Sequence, residues 1–298
     1  MNPASEKFLA DIRSADAEVR FAAWSRAGDT DPEVIPSLGK LLVADQPGVR
    51  KAADESLKRM VHGVGKQPEG TRRAAVVQQL IVLTADGQAG WTRTMALRHL
   101  SLIGGDETVP AAAKLLRNVE LQEEAVFCLE RIPGAASTQA LLSAMPDVSD
   151  AFKPRLLAAL GHRRAEEATE VCARAMESPN VEIMMAGLKS TARIGKKPSV
   201  NVKPPNYESL TGWQKIDYTD STLRFADDQV RRGNMVDAIR FYSDFLSRPE
   251  EHLQCAAIVG LSKTGSPEAA GLIFTKLKSP NNTVRITARK AWAAMAKV

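Results

Sequence analysis

Histidine and cysteine side chains are the groups in this chain that could bind a metal ion or act as nucleophiles. They are His62, His99, His162, His252, Cys128, Cys172 and Cys255. The histidines are far apart in sequence, none is followed by a glutamate, and neither Cys128 nor Cys172 has a histidine within one helical turn. The stretch Gly63-Val64-Gly65-Lys66 lacks the spacing of a phosphate-binding loop. The sequence therefore predicts no metal site, no cofactor and no catalytic residue, and it favours a protein that is not an enzyme.

The charge of the chain sets a weak preference for its partners. Lysine and arginine total 40, aspartate and glutamate total 35, and the formal net charge is +5. The basic residues are spread along the chain, so an anionic partner is permitted without being required. The aromatic share is only 5%. This argues against a large aromatic-lined cofactor cavity and suits helices that pack through small residues.

The distribution of apolar residues predicts a cytoplasmic protein. No apolar run follows the first residues, and no stretch of about 18 apolar residues occurs. We therefore expect neither an export signal nor a membrane partner. The three cysteines lie on apolar helical patterns and are expected to be buried thiols of a reducing compartment.

The elements that must position any binding residues are helical hairpins. Val49, Ala53 and Leu57 follow Pro47-Gly48 and fall on one helical face. The same phrase begins again at Val19, Thr92, Leu121, Leu253 and Val284. Most intervals are roughly 30 residues, the length of one hairpin in a repeat array, and stacking completes the burial of each apolar face. The pattern predicts an all-α fold, a right-handed α-α superhelix of about seven or eight hairpins across residues 1–298.

Two intervals are longer than a repeat. The first contains the polar link from Lys66 to Gly70. The second contains residues 196–217, where Pro198, Pro204 and Pro205 accompany no helical period. We expect an irregular loop there, followed by an extra helix at about 221–232.

Aromatic side chains make the 196–217 loop a candidate partner surface. Tyr207 and Trp213 lie in it and Tyr218 follows it. Aromatic residues are common in protein interfaces, although they could equally pack the loop onto the repeats. If the loop binds a partner, deleting residues 198–206 should abolish binding and leave the melting temperature unchanged.

The repeated phrases resemble HEAT repeats. The residues that carry the resemblance are Val34-Ile35-Pro36, Leu38 and Leu41-Leu42, followed by Val49-Arg50 and Ala52-Ala53. The nearest subtype is the bacterial form first named from phycobilisome lyases. The resemblance covers nearly all of the chain outside residues 196–217 and is specific for fold rather than for function.

The resemblance implies that the second helix of each hairpin lines a concave face. It also implies that the arginine after the first apolar residue bonds to neighbouring repeats. We therefore take the aligned polar and aromatic residues of the second helices as binding candidates: Arg20, Trp24, Arg50, Asp54, Arg93, Gln122, Gln254 and Arg285.

The sequence favours a non-catalytic scaffold for protein–protein interaction, with the concave face and the 196–217 loop as its binding surfaces. A nucleic-acid binder is the first alternative, because some HEAT-like proteins are DNA glycosylases with a basic groove, tryptophans and an aspartate. Trp24 and Asp54 are the residues here that match that description. A lyase-type subunit acting on a chromophore protein is the second alternative.

Overall fold

The computed structural model of the protein describes residues 1–66 and 70–296. These residues form seventeen α-helices and five short 3-10 turns, and no strand occurs among them. The predicted all-α fold is confirmed. Part of the predicted polar link, residues 67–69, and the last two residues, 297 and 298, lie outside the described residues. Within the part described, no helix is both long and apolar enough to cross a membrane.

The chain divides into two compact units, Met1–Ala159 and Leu160–Val298, and the boundary falls within α10. The predicted single array over residues 1–298 stays a prediction. The helices up to the boundary are α1 (Pro3–Ile12), α2 (Ala17–Ser25), α3 (Ile35–Leu41), α4 (Pro47–Gly65), α5 (Thr71–Val82), α6 (Gly90–Ile103), α7 (Val109–Leu115), α8 (Gln122–Arg131), α9 (Ala135–Ala144) and α10 (Lys153–His162). The second unit continues with α11 (Thr169–Ala175), α12 (Val181–Ile194), α13 (Gly212–Arg231), α14 (Met235–Leu246), α15 (Glu251–Ser262), α16 (Pro267–Thr275) and α17 (Asn282–Met295).

Local residue chemistry fixes where the helices begin. Asp16 and Asn281 accept hydrogen bonds from backbone N–H groups in the first turns of α2 and α17. Asn2 does the same for α1, while Ser5 is buried inside that helix. Prolines occupy first-turn positions, as in α3 and α7, where a missing N–H costs nothing.

The repeat is visible in the first helices of three hairpins. The helices α3, α7 and α11 are each seven residues long and each follows a 3-10 turn, which spans Pro32–Val34, Asp106–Thr108 and Glu166–Ala168 respectively. In the first unit each second helix packs on its own first helix and on the next second helix, in the order α2, α4, α6 and α8. This packing buries one apolar face per helix and leaves the opposite face of each second helix to solvent.

The second unit has a different arrangement around residues 196–206, here called the strap. The strap has no regular structure and leads through a 3-10 turn, Tyr207–Ser209, to α13. Helix α13 packs against α12, α14 and α15. Gly260 allows α15 to approach α14, because a Cβ at that position would lie 2.2 Å from the Tyr242 ring.

The helix after the strap corrects the prediction for this region. The sequence predicts a loop to residue 217 and a helix from about 221, whereas α13 begins at Gly212. Thr211 and Gln214 form a capping box that supports the earlier start. Tyr218, Thr222, Phe225 and Gln229 then form its buried stripe.

Candidate functional site

The repeated arginines of the second helices bond to the turn that precedes their own helix. Arg20 Nη1 donates to the carbonyl oxygens of Ser14 and Ala15 at 2.6 and 2.8 Å. Arg50 Nη1 donates to Ala44 and Asp45 at 2.7 and 3.0 Å. Arg285 Nη1 donates to Ser279 and Pro280 at 2.7 and 3.4 Å; the aligned Gln254 donates to the Arg248 carbonyl at 2.7 Å.

Arg93 follows the same rule with a longer turn. Its Nε donates to the Thr84 carbonyl at 3.1 Å, and its Nη2 pairs with Asp86 at 3.0 Å. Gln122 is the first residue of α8 and is half-buried. The expectation that these arginines bond to neighbouring repeats is therefore corrected: they satisfy carbonyl groups within their own hairpin, near the end of the first helix.

Trp24 and Asp54 lie beside an open groove along the second helices α2, α4, α6 and α8, but neither residue lines it. The Arg59 guanidinium lies 4.8 Å from the centroid of the Trp24 ring, and Phe21 packs edge-on to the same ring at 4.9 Å. Asp54 pairs with Lys58 at 2.7 Å, and this hydrogen bond raises the pKa of Lys58.

Two adjoining clefts make up this surface, which we call the second-helix groove. The first has a volume of about 810 Å³, and its lining includes Ser25, Arg26, Glu55, Lys58, Arg59, His62 and Leu102. The second, of about 600 Å³, is lined by Arg98, Ser101, Leu102, Glu123, Glu124, Phe127, Arg131 and Arg155. Leu102 lines both clefts. The groove lies entirely within the first unit.

The charges of the groove are mostly paired with one another. Arg98 pairs with Glu124 at 2.6 Å, Arg155 with Glu130 at 2.8 Å and Arg26 with Asp11 at 3.0 Å. Arg59 and Arg131 differ, because neither makes an ion pair among the described residues. Both are exposed, and the Arg131 guanidinium lies 5.4 Å from the Phe127 ring centroid.

Apolar side chains are exposed between these two arginines. Leu102 is 51% exposed and Phe127 is 40% exposed. Apolar residues surrounded by charge are the common composition of a protein-binding surface. The groove therefore offers apolar contact area at its centre and two arginines that are free to meet acidic groups.

Buried titratable groups occur near the groove and elsewhere without forming a reactive constellation. His99 is almost fully buried, and this burial lowers the pKa of its imidazole to about 4. Burial raises the pKa of the Cys128 and Cys172 thiols to about 12, which suppresses the reactive thiolate. No cluster of three metal-binding side chains occurs within residues 1–66 and 70–296.

The loop aromatics divide into a buried pair and an exposed residue. Tyr207 and Tyr218 are 8% and 7% exposed, their ring centroids lie 5.6 Å apart, and Arg248 stacks 3.8 Å above Tyr207. The expectation that they contact a partner is corrected, because both rings belong to the core of the second unit. Trp213 is 49% exposed and lies in the first turn of α13 beside the exposed Ile216.

Sequence reasoning missed the residues that shape the groove. Arg59, Leu102 and Arg131 each lie nine residues after one of the aligned positions Arg50, Arg93 and Gln122. This shared nine-residue offset is the sequence signal that could have identified these residues. It places one side chain of each successive second helix at the same height on the solvent face.

Comparisons with known proteins leave the chain without an assigned family. No family model matches it, and no curated protein matches it. Two crystal structures of engineered proteins from the Northeast Structural Genomics Consortium are similar at low level. One is 16% identical, with a TM-score of 0.43 and coverage of 99% of both chains. The other is 17% identical, with a TM-score of 0.28, and covers 88% of this chain and 96% of its own. Neither similarity is strong enough to assign this chain a family or a function.

Proposed function

We propose that this protein is a non-catalytic interaction scaffold whose second-helix groove binds an acidic, amphipathic segment of a partner protein. The observation that carries the proposal is the placement of Leu102 and Phe127, exposed, between the unpaired Arg59 and Arg131. Large apolar side chains of the segment would cover Leu102 and Phe127, and its carboxylates would meet the arginines.

Several further expectations belong to the same proposal. HEAT-type hairpins are supported by the recurring 3-10 turn and short first helix, as in α3 and α7. A cytoplasmic location is consistent with free, buried Cys128 and Cys172. Of the loop residues predicted to contact a partner, Trp213 is retained as a candidate because its ring is exposed.

The charge pairing supports a protein partner over nucleic acid. A phosphate backbone requires several cations that are free to replace its counterions. Arg20, Arg50 and Arg93 donate to turn carbonyls, and Arg98 and Arg155 pair with glutamates. The arginines of the groove that make no ion pair, Arg59 and Arg131, suit a few carboxylates better than a continuous row of phosphates.

Peptide display on the full chain tests the proposal. We expect the selected peptides to combine aspartate or glutamate with leucine, phenylalanine or tryptophan. Leu102→Glu and Phe127→Glu should each weaken binding of a selected peptide by about tenfold, because each places a carboxylate in the apolar centre. Val119→Glu is the matched control, since Val119 is 81% exposed in the same unit and lies outside the groove.

The outcome that contradicts the proposal is a set of peptides whose affinity is the same for Leu102→Glu, Phe127→Glu and Val119→Glu. A titration with duplex DNA across a salt series separates the alternative. We expect no steep salt dependence; a steep one that Arg59→Gln reduces would instead support nucleic-acid binding.

A further inference from the structure

The first two turns of α13 present a pair of apolar side chains to solvent. Trp213 is 49% exposed and Ile216 is 71% exposed. Asp217 and Asp220 follow them, and the four residues occupy positions i, i+3, i+4 and i+7, which lie on one side of a helix. We call this surface the α13 face. The buried stripe of α13, which begins at Tyr218, lies on the other side of the same helix.

The two carboxylates of the α13 face differ in how far they are open to solvent. Asp217 pairs with Lys189 of α12 at 2.9 Å and is half-buried. Asp220 lies 3.6 Å from Arg224 on the same helix, and its side chain is 70% exposed. An ion pair this exposed contributes little to stability. Asp220 can therefore leave Arg224 for a cation of another molecule at little cost.

The second-helix groove and the α13 face are complementary in composition. The groove exposes Leu102 and Phe127 between Arg59 and Arg131, neither of which makes an ion pair among the described residues. The α13 face exposes two large apolar side chains next to carboxylates. Contact between the two surfaces would remove four exposed apolar side chains from water and bring an arginine of the groove to a carboxylate.

Other exposed apolar residues of the second unit lie among charges of the wrong sign for the groove. Phe274 and Ile286 are 59% and 42% exposed, on α16 and α17. The charged residues of α17 are Arg285, Arg289 and Lys290. These cations would repel the two arginines of the groove, whereas the carboxylates of the α13 face attract them.

We propose that the acidic, amphipathic segment bound by the second-helix groove is the α13 face of a second copy of this chain. This inference rests on the proposed function of the groove and names its partner. Trp213 and Ile216 of one copy pack on Leu102 and Phe127 of the other, and Asp220 meets an arginine of the groove. Because α13 is already a folded helix, docking it into a groove requires no ordering of a flexible segment.

Sedimentation velocity of the full chain at concentrations up to about 100 µM tests this assignment. We expect reversible self-association that increases with concentration. Trp213→Glu and Phe127→Glu should each raise the dissociation constant by about tenfold or more, because each places a carboxylate in the apolar contact. Val236→Glu is the matched control, since Val236 is 79% exposed in the second unit and lies outside the α13 face.

A mixture of the two weakened variants distinguishes lost contact from lost stability. The Trp213→Glu chain keeps an intact groove, and the Phe127→Glu chain keeps an intact α13 face. An equimolar mixture should therefore form a one-to-one complex at a concentration where neither variant associates alone. If Phe127→Glu does not fold, Leu102→Glu takes its place in the mixture.

The inference is overturned if the wild-type chain remains monomeric at about 100 µM, or if Trp213→Glu associates as well as wild type. It is also overturned if Trp213→Glu weakens association while Leu102→Glu and Phe127→Glu do not, because the α13 face then binds another surface. Peptide display separates these failures from failure of the groove. A monomeric chain whose selected peptides still depend on Leu102 and Phe127 retains the proposed scaffold function with a different partner.

Discussion

The side chain of His99 lies buried in α6, and the cause of its lowered pKa is loss of solvent. Among the charged groups near it, Asp54 raises that pKa, while Lys58 and His62 lower it further. Its Nε2 atom and the Oδ1 atom of Asp54 are both buried without a hydrogen-bond partner among the described residues. Burial therefore keeps this imidazole neutral at physiological pH.

This neutral state makes the stability of the protein depend on pH. The ordinary imidazole pKa is 6.5, and the folded value is about 4. Between those values the unfolded chain binds a proton that the folded chain does not, so stability falls as pH drops from 6.5 to 4. The loss is about 3 kcal/mol when it is complete. Denaturant unfolding across that pH range should show this decline.

His99→Leu should remove that part of the decline, because the variant has no group to protonate at this position. His252→Leu is the control, since His252 is exposed in the second unit. A decline that persists unchanged in His99→Leu would show that burial of this imidazole is not its cause.

Among the secondary-structure elements, the strap and α13 show which structural features the sequence pattern predicts and which it does not. The prolines at 198, 204 and 205 correctly predicted irregular backbone. They could not predict that Glu170 and Glu177 would bind that backbone, because those bonds join residues about 30 positions apart in sequence. Burial of Tyr207 and Tyr218 was not predictable from the sequence either, because an aromatic residue suits a core as well as an interface.

The strap is held by α11, and this contact changes the expected result of deleting residues 198–206. Val200 and Val202 pack on the core of the second unit, so the deletion should lower the melting temperature, not leave it unchanged. An unchanged melting temperature would require a loop that makes no contact with the core. A single substitution at Glu170 tests the hydrogen bonds between this carboxylate and the strap without deleting any residue.

Glu170→Gln should speed hydrogen exchange at the amides of Ser199 and Val200, because a neutral amide accepts these bonds more weakly than a carboxylate. The backbone bond from Ser199 lowers the pKa of Glu170 below its ordinary 4.5. The wild-type protection should therefore be present above pH 4.5 and disappear as pH falls through the lower folded value. Glu167→Gln, at an exposed glutamate in the preceding 3-10 turn, should change neither amide. Equal hydrogen-exchange rates at these amides in Glu170→Gln and wild type would show that the Glu170 carboxylate does not hold the strap.

At the scale of the whole chain, helical hairpins were predictable because each one repeats the same apolar spacing. Equivalent positions such as Arg20, Arg50 and Arg285 could be aligned from that spacing alone. What the spacing could not supply was the direction of each side chain. An arginine on a second helix reaches either back to its own turn or outward to a ligand, and only packing decides between them.

The arginines of the second helices fall into two groups with different roles. Arg20 and Arg50 stabilise turns, whereas Arg59 and Arg131 border the apolar centre of the groove and have no acidic partner among the described residues. Two double variants of the first unit compare them directly: Arg20→Gln with Arg50→Gln, and Arg59→Gln with Arg131→Gln. Each removes two positive charges from second helices, so their net charges are equal.

The decisive measurement is the affinity of both double variants for a display-selected acidic peptide, read beside their melting temperatures. We expect the Arg59 and Arg131 pair to lose about tenfold in affinity. This pair should melt closer to the wild-type protein than the other pair does, because it loses only exposed cation–π contacts. The Arg20 and Arg50 pair should keep its affinity and melt a few degrees lower, because each loses hydrogen bonds worth about 1 kcal/mol. Loss of peptide binding by the Arg20 and Arg50 pair, with binding kept by the Arg59 and Arg131 pair, would contradict this assignment of roles.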